Sequence, residues 1–311
     1  MSLVLVAMGW LLLSLPGRAA RWLRRGSPRE TATLVAAALA VGAVVLEAGL
    51  IVCAGPTILR TAGLTRLAMA CQRTFDTLVA GGPLIGWIAA TAAVATVVGA
   101  VWGLLPVLRL RRRAVVEPWI GEHSVTHGFE LVILPTDAPV AYSVRKPVPQ
   151  IVISGTLHKG LDAPSLEALL AHEAAHLQLR HDRPLLLGAL LRSALGWLPG
   201  VRSSIQTLQV ALERCADDQA TERAPARRAA LRQALLATAG TEAPPALAAF
   251  GAANGIIERV AALQAPPCDR LCAAQRMGWM VLSLLTAAAV GTLALWLVDT
   301  HAVLAMAYCP S

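Results

Sequence analysis

Five residues in the middle of the chain, His172-Glu173-Ala174-Ala175-His176, have the types and spacing of a metal-dependent hydrolytic centre. Histidines four apart stack on one face of a helix, so both imidazoles reach a single tetrahedral ion. Glu173 follows His172 directly and leans over the ion's open position, where it can take a proton from water. Only seven histidines occur in 311 residues, so a chance match is rare. The bland alternative is a pair of solvated histidines on a polar face. It fits poorly beside Leu169, Leu170 and Leu177.

A hydrolytic zinc site needs a third protein ligand and one open position. The downstream segment ALERCADDQA offers Glu213 and Asp217, again four apart on one helical face. Glu213 is the natural third ligand, and Asp217 is suited to accept a hydrogen bond from a ligand imidazole and fix its tautomer. Asp218 points about 100° away and is the weaker choice. Standing alone, the segment would read as a charged exposed helix face; the histidine pair changes that reading. His181 lies nine residues past His172, and nine steps of about 100° put it on the opposite helix face, so it reads as structural or surface. His123 and His127 share the four-residue spacing, but Gly121 and Gly128 argue against a helix holding them. Arg214 and Arg223 are candidates for stabilising an oxyanion, with no geometry to choose between them.

The element that must position the first pair is a helix. Asp162 stands as its N-cap, Pro164 is tolerated in its first turn, and it is expected to run to about Asp182, stopped by Pro184. Ahead of it, 129–134 (FELVIL), 141–144 (AYSV) and 150–154 (QIVIS) read as short strands, the last two joined by a polar turn. An exposed edge near Ala141 to Val144 suits an extended peptide added as a strand. Between the two ligand helices, 184–199 is strongly apolar but too short for a confident span. It reads as a core helix or one lying at a membrane face, because a crossing would separate Glu213 from His172.

Composition supplies the setting. Charged residues are 15%, hydrophobic residues 56%, and the mean hydropathy is +0.59. These values exclude an ordinary cytosolic enzyme, a disordered chain and a collagen-like one. A bilayer core of about 30 Å needs roughly 20 apolar helical residues. The runs 32–53, 84–108 and 277–298 meet this, and the shorter run 2–16 reads as a first span, since its positive charge follows the apolar run rather than preceding it. Arginines cluster at 18–29 and 109–113, whereas 54–83 holds three and the tail from Asp299 holds none. The positive-inside rule therefore puts 17–31 and 109–276 in the cytoplasm, with the N-terminus, the 54–83 loop and the tail outside. The net charge of +8 is then mostly a topology signal, and no direct nucleic-acid binding is expected. Three regions are expected: 1–108 spanning, 109–276 a cytoplasmic metallopeptidase domain, and 277–311 a fourth span with a short tail.

Within the second span Glu47 reads as a carboxylate snorkelling to the outer interface, slightly ahead of a functional role. Six cysteines are too few for a disulfide scaffold. Cys53, Cys71 and Cys309 lie where a disulfide is allowed, while Cys268 and Cys272 lack a second pair for a zinc ribbon.

With these residues assembled, the chain resembles the BlaR and MecR membrane zinc peptidases, the antirepressor peptidases, over nearly its whole length. The resemblance is carried by LLAHEAAHLQLRHD, the Trp197-Leu198-Pro199 turn, ERCADD, and AYSV followed by QIVISGTL. More distantly these are similar to HtpX and the CAAX prenyl proteases. The resemblance implies a mainly α integral membrane protein: four transmembrane helices with a cytoplasmic α+β zincin-like metallopeptidase domain. It implies Zn2+ held by His172, His176 and Glu213, with Glu173 as the base, and a cytoplasmic or membrane-associated protein substrate such as a transcriptional repressor. BlaR and MecR continue into an extracellular penicillin-binding domain that this sequence does not show, so beta-lactam sensing is not implied. A stimulus is expected through a separate sensor partner or membrane lipid. Two rival readings stay open: a non-proteolytic transducer with a structural metal site, and a general quality-control protease of the membrane.

Overall fold

The structure, a computed structural model, describes residues 2–65, 82–113, 120–145, 148–222, 224–238, 255–265 and 271–308. Among these, three helices are long and apolar enough to cross a membrane: Pro28–Thr61, Pro83–Arg109 and Ala273–Val298. They form helix α3 (Pro28–Thr61) and most of α4 (Gly82–Arg113) and α11 (Ala273–Tyr308). The first apolar run makes the shorter helix α1 (Ser2–Arg18), followed by the single-turn α2 (Ala20–Leu23). Helix α4 continues past residue 108, and α11 starts at Ala273, ahead of 277. Backbone hydrogen bonding does not stop where hydrophobicity stops, so helix ends overrun the apolar limits.

Helices α1 and α3 pack backbone to backbone because glycines remove the obstacle. A Cβ at Gly9 would stand 2.5 Å from the Leu46 nitrogen, and one at Gly49 would stand 2.8 Å from the Val6 nitrogen. In the same region Thr96 of α4 donates to Glu47 Oε2 of α3 at 2.6 Å. Glu47 therefore meets a neighbouring helix.

A small sheet precedes the motif helix. Strands β1 (Glu122–Thr126), β2 (Phe129–Leu134), β3 (Ala141–Val144) and β4 (Gln150–Ser154) lie in the order β1-β2-β4-β3. The strand β1 has no apolar alternation, which hid it in the sequence. It pairs antiparallel with β2 through His127 and Gly128, both at positive φ (48° and 79°), the geometry that tight hairpin turns require. Strand β4, parallel to β2 and antiparallel to β3, is buried throughout, as QIVIS composition predicts for a central strand. β3 forms an edge of this sheet.

Ser154 caps α5 (Gly155–Gly160), its Oγ accepting from the Leu157 nitrogen at 3.3 Å. Asp162 caps α6 (Ala163–Gln178) by accepting from the Ser165 nitrogen, also at 3.3 Å. The sheet lays Leu131, Ile151 and Ile153 against Leu169, Leu170 and Leu177 of α6. That helix ends four residues before Asp182, because Arg180 turns left-handed at φ 55°. Pro184 does not stop it. Pro184 sits instead in the first turn of α7 (Asp182–Leu195), where a missing N–H costs nothing.

The apolar stretch 184–199 is resolved into α7 and the turn that joins it to α8 (Val201–Thr221). This hairpin wedges between apolar helices. Ser193 Oγ donates to the Gly99 carbonyl of α4 at 2.7 Å, Trp10 Nε1 of α1 to the Pro199 carbonyl at 3.1 Å, and the Gly17 nitrogen to Ser204 Oγ at 2.8 Å. Gly200 opens α8 at φ 86°, and a Cβ there would meet the Ser14 side chain at 2.6 Å. One continuous core follows, with Leu13, Val35, Leu39, Leu191, Leu195, Ile205 and Leu208 in a single cluster. Helix α8 shares this cluster with α1, α3 and α7, while Leu169, Leu170 and Leu177 of α6 cluster with the sheet.

Helices α9 (Pro225–Thr238) and α10 (Ile256–Gln264) complete the region beside α6 and α8. Buried Arg228 of α9 holds the end of α10, donating to the carbonyls of Ala262, Leu263 and Ala265 at 2.6–3.0 Å. Those are orphan acceptors at a helix C-terminus, so one guanidinium fixes where α10 lies.

Candidate metal centre

His172 and His176 project from one face of α6, as their spacing requires, and Glu213 comes from the middle of α8. The Nε2 atoms of the two histidines are 3.1 Å apart. Glu213 Oε2 lies 3.5 Å from His172 Nε2, and Oε1 lies 3.6 Å from His176 Nε2. A tetrahedral zinc with arms of 2.0–2.1 Å has ligand–ligand edges of about 3.4 Å. The three side chains thus offer ligand atoms at the spacing of one face of such a tetrahedron, and among the described residues they form a group able to hold a metal ion. Two imidazole nitrogens pointed at each other beside a carboxylate are a donor set for a cation. Glu173 is buried in the same turn of α6.

Behind the ligands Asp217 Oδ1 lies 3.0 Å from His172 Nδ1. An Nδ1–H donated to that carboxylate leaves Nε2 with its lone pair toward the ion. Burial opposes ionisation of Asp217, yet the Arg259 charge and hydrogen bonds from His172 and Arg259 outweigh it and hold its carboxyl down at about 2. Glu213 follows the same pattern: burial is overcome by the charges of His176 and Arg259, and its carboxyl sits well below the usual range.

Arg259 of α10 is the residue that local sequence gave no reason to choose. It is 4% exposed and donates to Asp217 through Nη2 at 2.6 Å and Nε at 2.9 Å. Its Nη1 lies 3.0 Å from Glu213 Oε2. A lone arginine in IIERVAALQ matches no spacing rule relative to a motif 87 residues earlier; only the fold brings it in. Of the two arginines weighed as oxyanion partners, Arg214 points elsewhere. Arg214 Nη1 donates to the Arg24 carbonyl at 2.8 Å, in the segment after α2, and Arg223 lies outside the described residues.

His181 is structural rather than surface, and it lies beside His176 rather than on the opposite helix face. It is 4% exposed, and its Nδ1 lies 2.9 Å from His176 Nδ1. Counting 100° per residue fails because α6 ends at Gln178 and the left-handed Arg180 folds the chain back on itself. Burial, then the His176 charge, push the His181 imidazole down to about 3, so it is neutral near pH 7.

The remaining candidates lie elsewhere. His123 on β1 pairs with Glu130 at 2.7 Å, and His127 in the hairpin turn pairs with Glu167 at 3.1 Å. Asp218 faces Arg228 at 3.7 Å. Cys53 and Cys272 are free thiols, while Cys71, Cys268 and Cys309 lie outside the described residues.

The comparisons with known proteins bear on this region. Residues 111–237 match Peptidase family M48. No curated protein and no solved structure matches the chain. The matched segment contains the sheet, the motif helix α6, the α7–α8 hairpin and α9. It ends before Arg259 and before α11. It supports assignment to a zinc metallopeptidase family and a metallopeptidase role, and M48 peptidases are typically zinc-dependent.

Proposed function

We propose that the chain is a membrane-embedded, zinc-dependent endopeptidase in which His172, His176 and Glu213 hold the metal and Glu173 is the catalytic base. The observation that carries this reading is the trio of ligand atoms 3.1–3.6 Å apart, with Asp217 on the far nitrogen of His172. Zinc bound there supplies a Lewis acid for the scissile carbonyl and acidifies water toward a pKa of about 7. Glu173 would hold a proton taken from water on its carboxylate and pass it to the leaving amine nitrogen. Asp217 keeps His172 in one tautomer, and Arg259 balances the two buried carboxylates. The edge strand β3 packs against α6, and Arg145, just after β3, donates to the Leu177 carbonyl, so an extended substrate added to β3 would run alongside the motif helix.

The three long apolar helices support a membrane setting, and α1 packed along α3 is read as a fourth, shorter span. The arginine distribution supports a cytoplasmic peptidase region. The substrate is a cytoplasmic or membrane-associated protein, a transcriptional repressor being the type that the BlaR and MecR resemblance suggests, with a separate sensor partner supplying the stimulus.

The test compares cells carrying the wild-type chain with cells carrying Glu173→Gln. A protein fragment present only with wild type, with equal zinc in both purified proteins, is the expected result. Identical fragment profiles would remove the peptidase reading. Reporter fusions after Arg113 and after Ser311 are expected on opposite sides of the membrane.

A further inference from the structure

A groove of about 1400 Å³ opens beside the metal centre, between α3, α6, α7, α8 and α9. None of the three metal-ligand residues lines it, nor does Glu173. We propose that this groove is a binding site for one phospholipid with an anionic headgroup. The proposal rests on the membrane placement above and not on the peptidase chemistry.

The two ends of the groove differ in chemistry. Its inner wall is Ala32, Ala36, Ala37 and Ala40 of α3, facing Leu187 of α7 and Leu212 of α8. Ala32 to Ala40 is about 12 Å of helix, most of the ~15 Å of hydrocarbon in one leaflet. In this stretch of α3 only Thr33 carries a polar side chain, and its hydroxyl donates to the Arg29 carbonyl of its own helix at 2.9 Å. An acyl chain needs no hydrogen-bonding group, whereas a peptide laid along this wall would leave its backbone groups unpaired. Buried Cys215 lines the same groove and adds a small apolar surface.

The mouth is charged. Of its acidic side chains, Glu167 faces His127 at 3.1 Å, Glu222 faces Arg227 at 2.8 Å and Asp218 faces Arg228 at 3.7 Å. Arg29, just before the apolar wall of α3, and Arg183, in the first turn of α7, are both exposed. Neither makes an ion pair with a carboxylate among the described residues. Arg29 and Arg183, neither ion-paired among the described residues, line an apolar trough near the end of α3 that would enter the bilayer, and their guanidinium groups suit a phosphate above an acyl chain. His181 also lines the groove, so its occupant would touch the side chain that meets His176.

The test uses the full chain reconstituted in nanodiscs of equal phosphatidylglycerol and phosphatidylcholine, then released for native mass spectrometry. Wild type is expected to retain phosphatidylglycerol over phosphatidylcholine. The double variant Arg29→Gln/Arg183→Gln is expected to lose that retention by about thirtyfold, taking two charges near a membrane surface together. Arg25→Gln, exposed and outside the groove, serves as the control and should retain lipid as wild type does. Ala36→Phe, which fills the trough, should displace both lipids. Added inorganic phosphate should displace neither, because the acyl chain supplies part of the affinity. Equal retention by wild type and the double variant overturns the proposal, and so does displacement by phosphate alone or a bound peptide in place of lipid. Glu173→Gln should bind lipid like wild type, which separates failure of this site from failure of the peptidase reading.

Discussion

His176 and His181 face each other through their Nδ1 atoms at 2.9 Å, five residues apart across the break that ends α6. With His176 Nε2 directed at Glu213 and His172, an Nδ1–H donated to the neutral His181 ring fixes which nitrogen of His176 is free to ligate. Each of the two ligand imidazoles is therefore braced on its far side, His172 by a carboxylate and His176 by a second imidazole.

This arrangement sets the outcome for His181→Ala. Removing a group that orients a ligand typically weakens metal binding about 10–100-fold. His181→Asn, which keeps an acceptor near the same position, should recover part of that loss. Competition against a zinc chelator with the purified variants measures it; equal zinc affinity in His181→Ala and wild type would remove the bracing role.

Arg259 and Asp217 make a buried pair whose halves are not independently dispensable. Arg259→Met strands two carboxylates, Asp217 and Glu213, in the interior, and breaking a buried pair in this way costs about 3–5 kcal/mol. The double variant Arg259→Met/Asp217→Leu should be destabilised by less than the sum of its single variants. Thermal unfolding of all four proteins in detergent closes the cycle, and strict additivity would show that the pair is not coupled.

What the sequence reveals and what it hides at this site follows from distance along the chain. His172 and His176 are legible because one helix fixes their relation, and Glu213 with Asp217 because a second helix repeats the spacing. The strands β2, β3 and β4 show in their composition, and β1 does not, since EHSVT has no alternation and one apolar residue, Val125. Arg259 is invisible because its role depends on where Arg228 anchors α10, a tertiary fact. The position of His181 beside His176 is hidden because an unbroken helix would carry it to the opposite face, and no glycine marks the left-handed turn at Arg180.

Acid should weaken the fold through Asp217. Its carboxyl is held at about 2 in the folded chain against an ordinary 3.8, so its ionised form stabilises the folded state fully above about pH 4. That contribution fades as pH falls toward about 2. The difference in thermal midpoint between wild type and Asp217→Asn, both with chelator present throughout, should be constant from pH 6 to 5. It should narrow as pH drops below 4. A gap that widens with acid would contradict the depressed carboxyl.

Glu213 and Glu173 should separate by what their loss removes. Glu213→Ala takes away a ligand and leaves two imidazoles, an incomplete site, so zinc should be lost on dialysis. Glu173→Gln keeps zinc because its role is in proton transfer. Metal analysis of the two purified variants checks this, and equal zinc in Glu213→Ala and wild type would remove Glu213 from the ligand set.

Thr96 and Glu47 give the apolar helices a polar contact of their own, the Thr96 hydroxyl donating to Glu47 Oε2 at 2.6 Å. Inside hydrocarbon such a bond is worth about 0.6 kcal/mol on average and up to about 1.7 kcal/mol. Thr96→Val keeps the shape of the side chain and removes the donor, so it should lower the thermal midpoint by a few degrees. Glu47→Gln retains an acceptor for Thr96 without a charge, and should lower it less than Glu47→Leu does. Differential scanning fluorimetry in one detergent compares the three variants with wild type. If Glu47→Leu proves as stable as wild type, the contact does not hold α3 to α4.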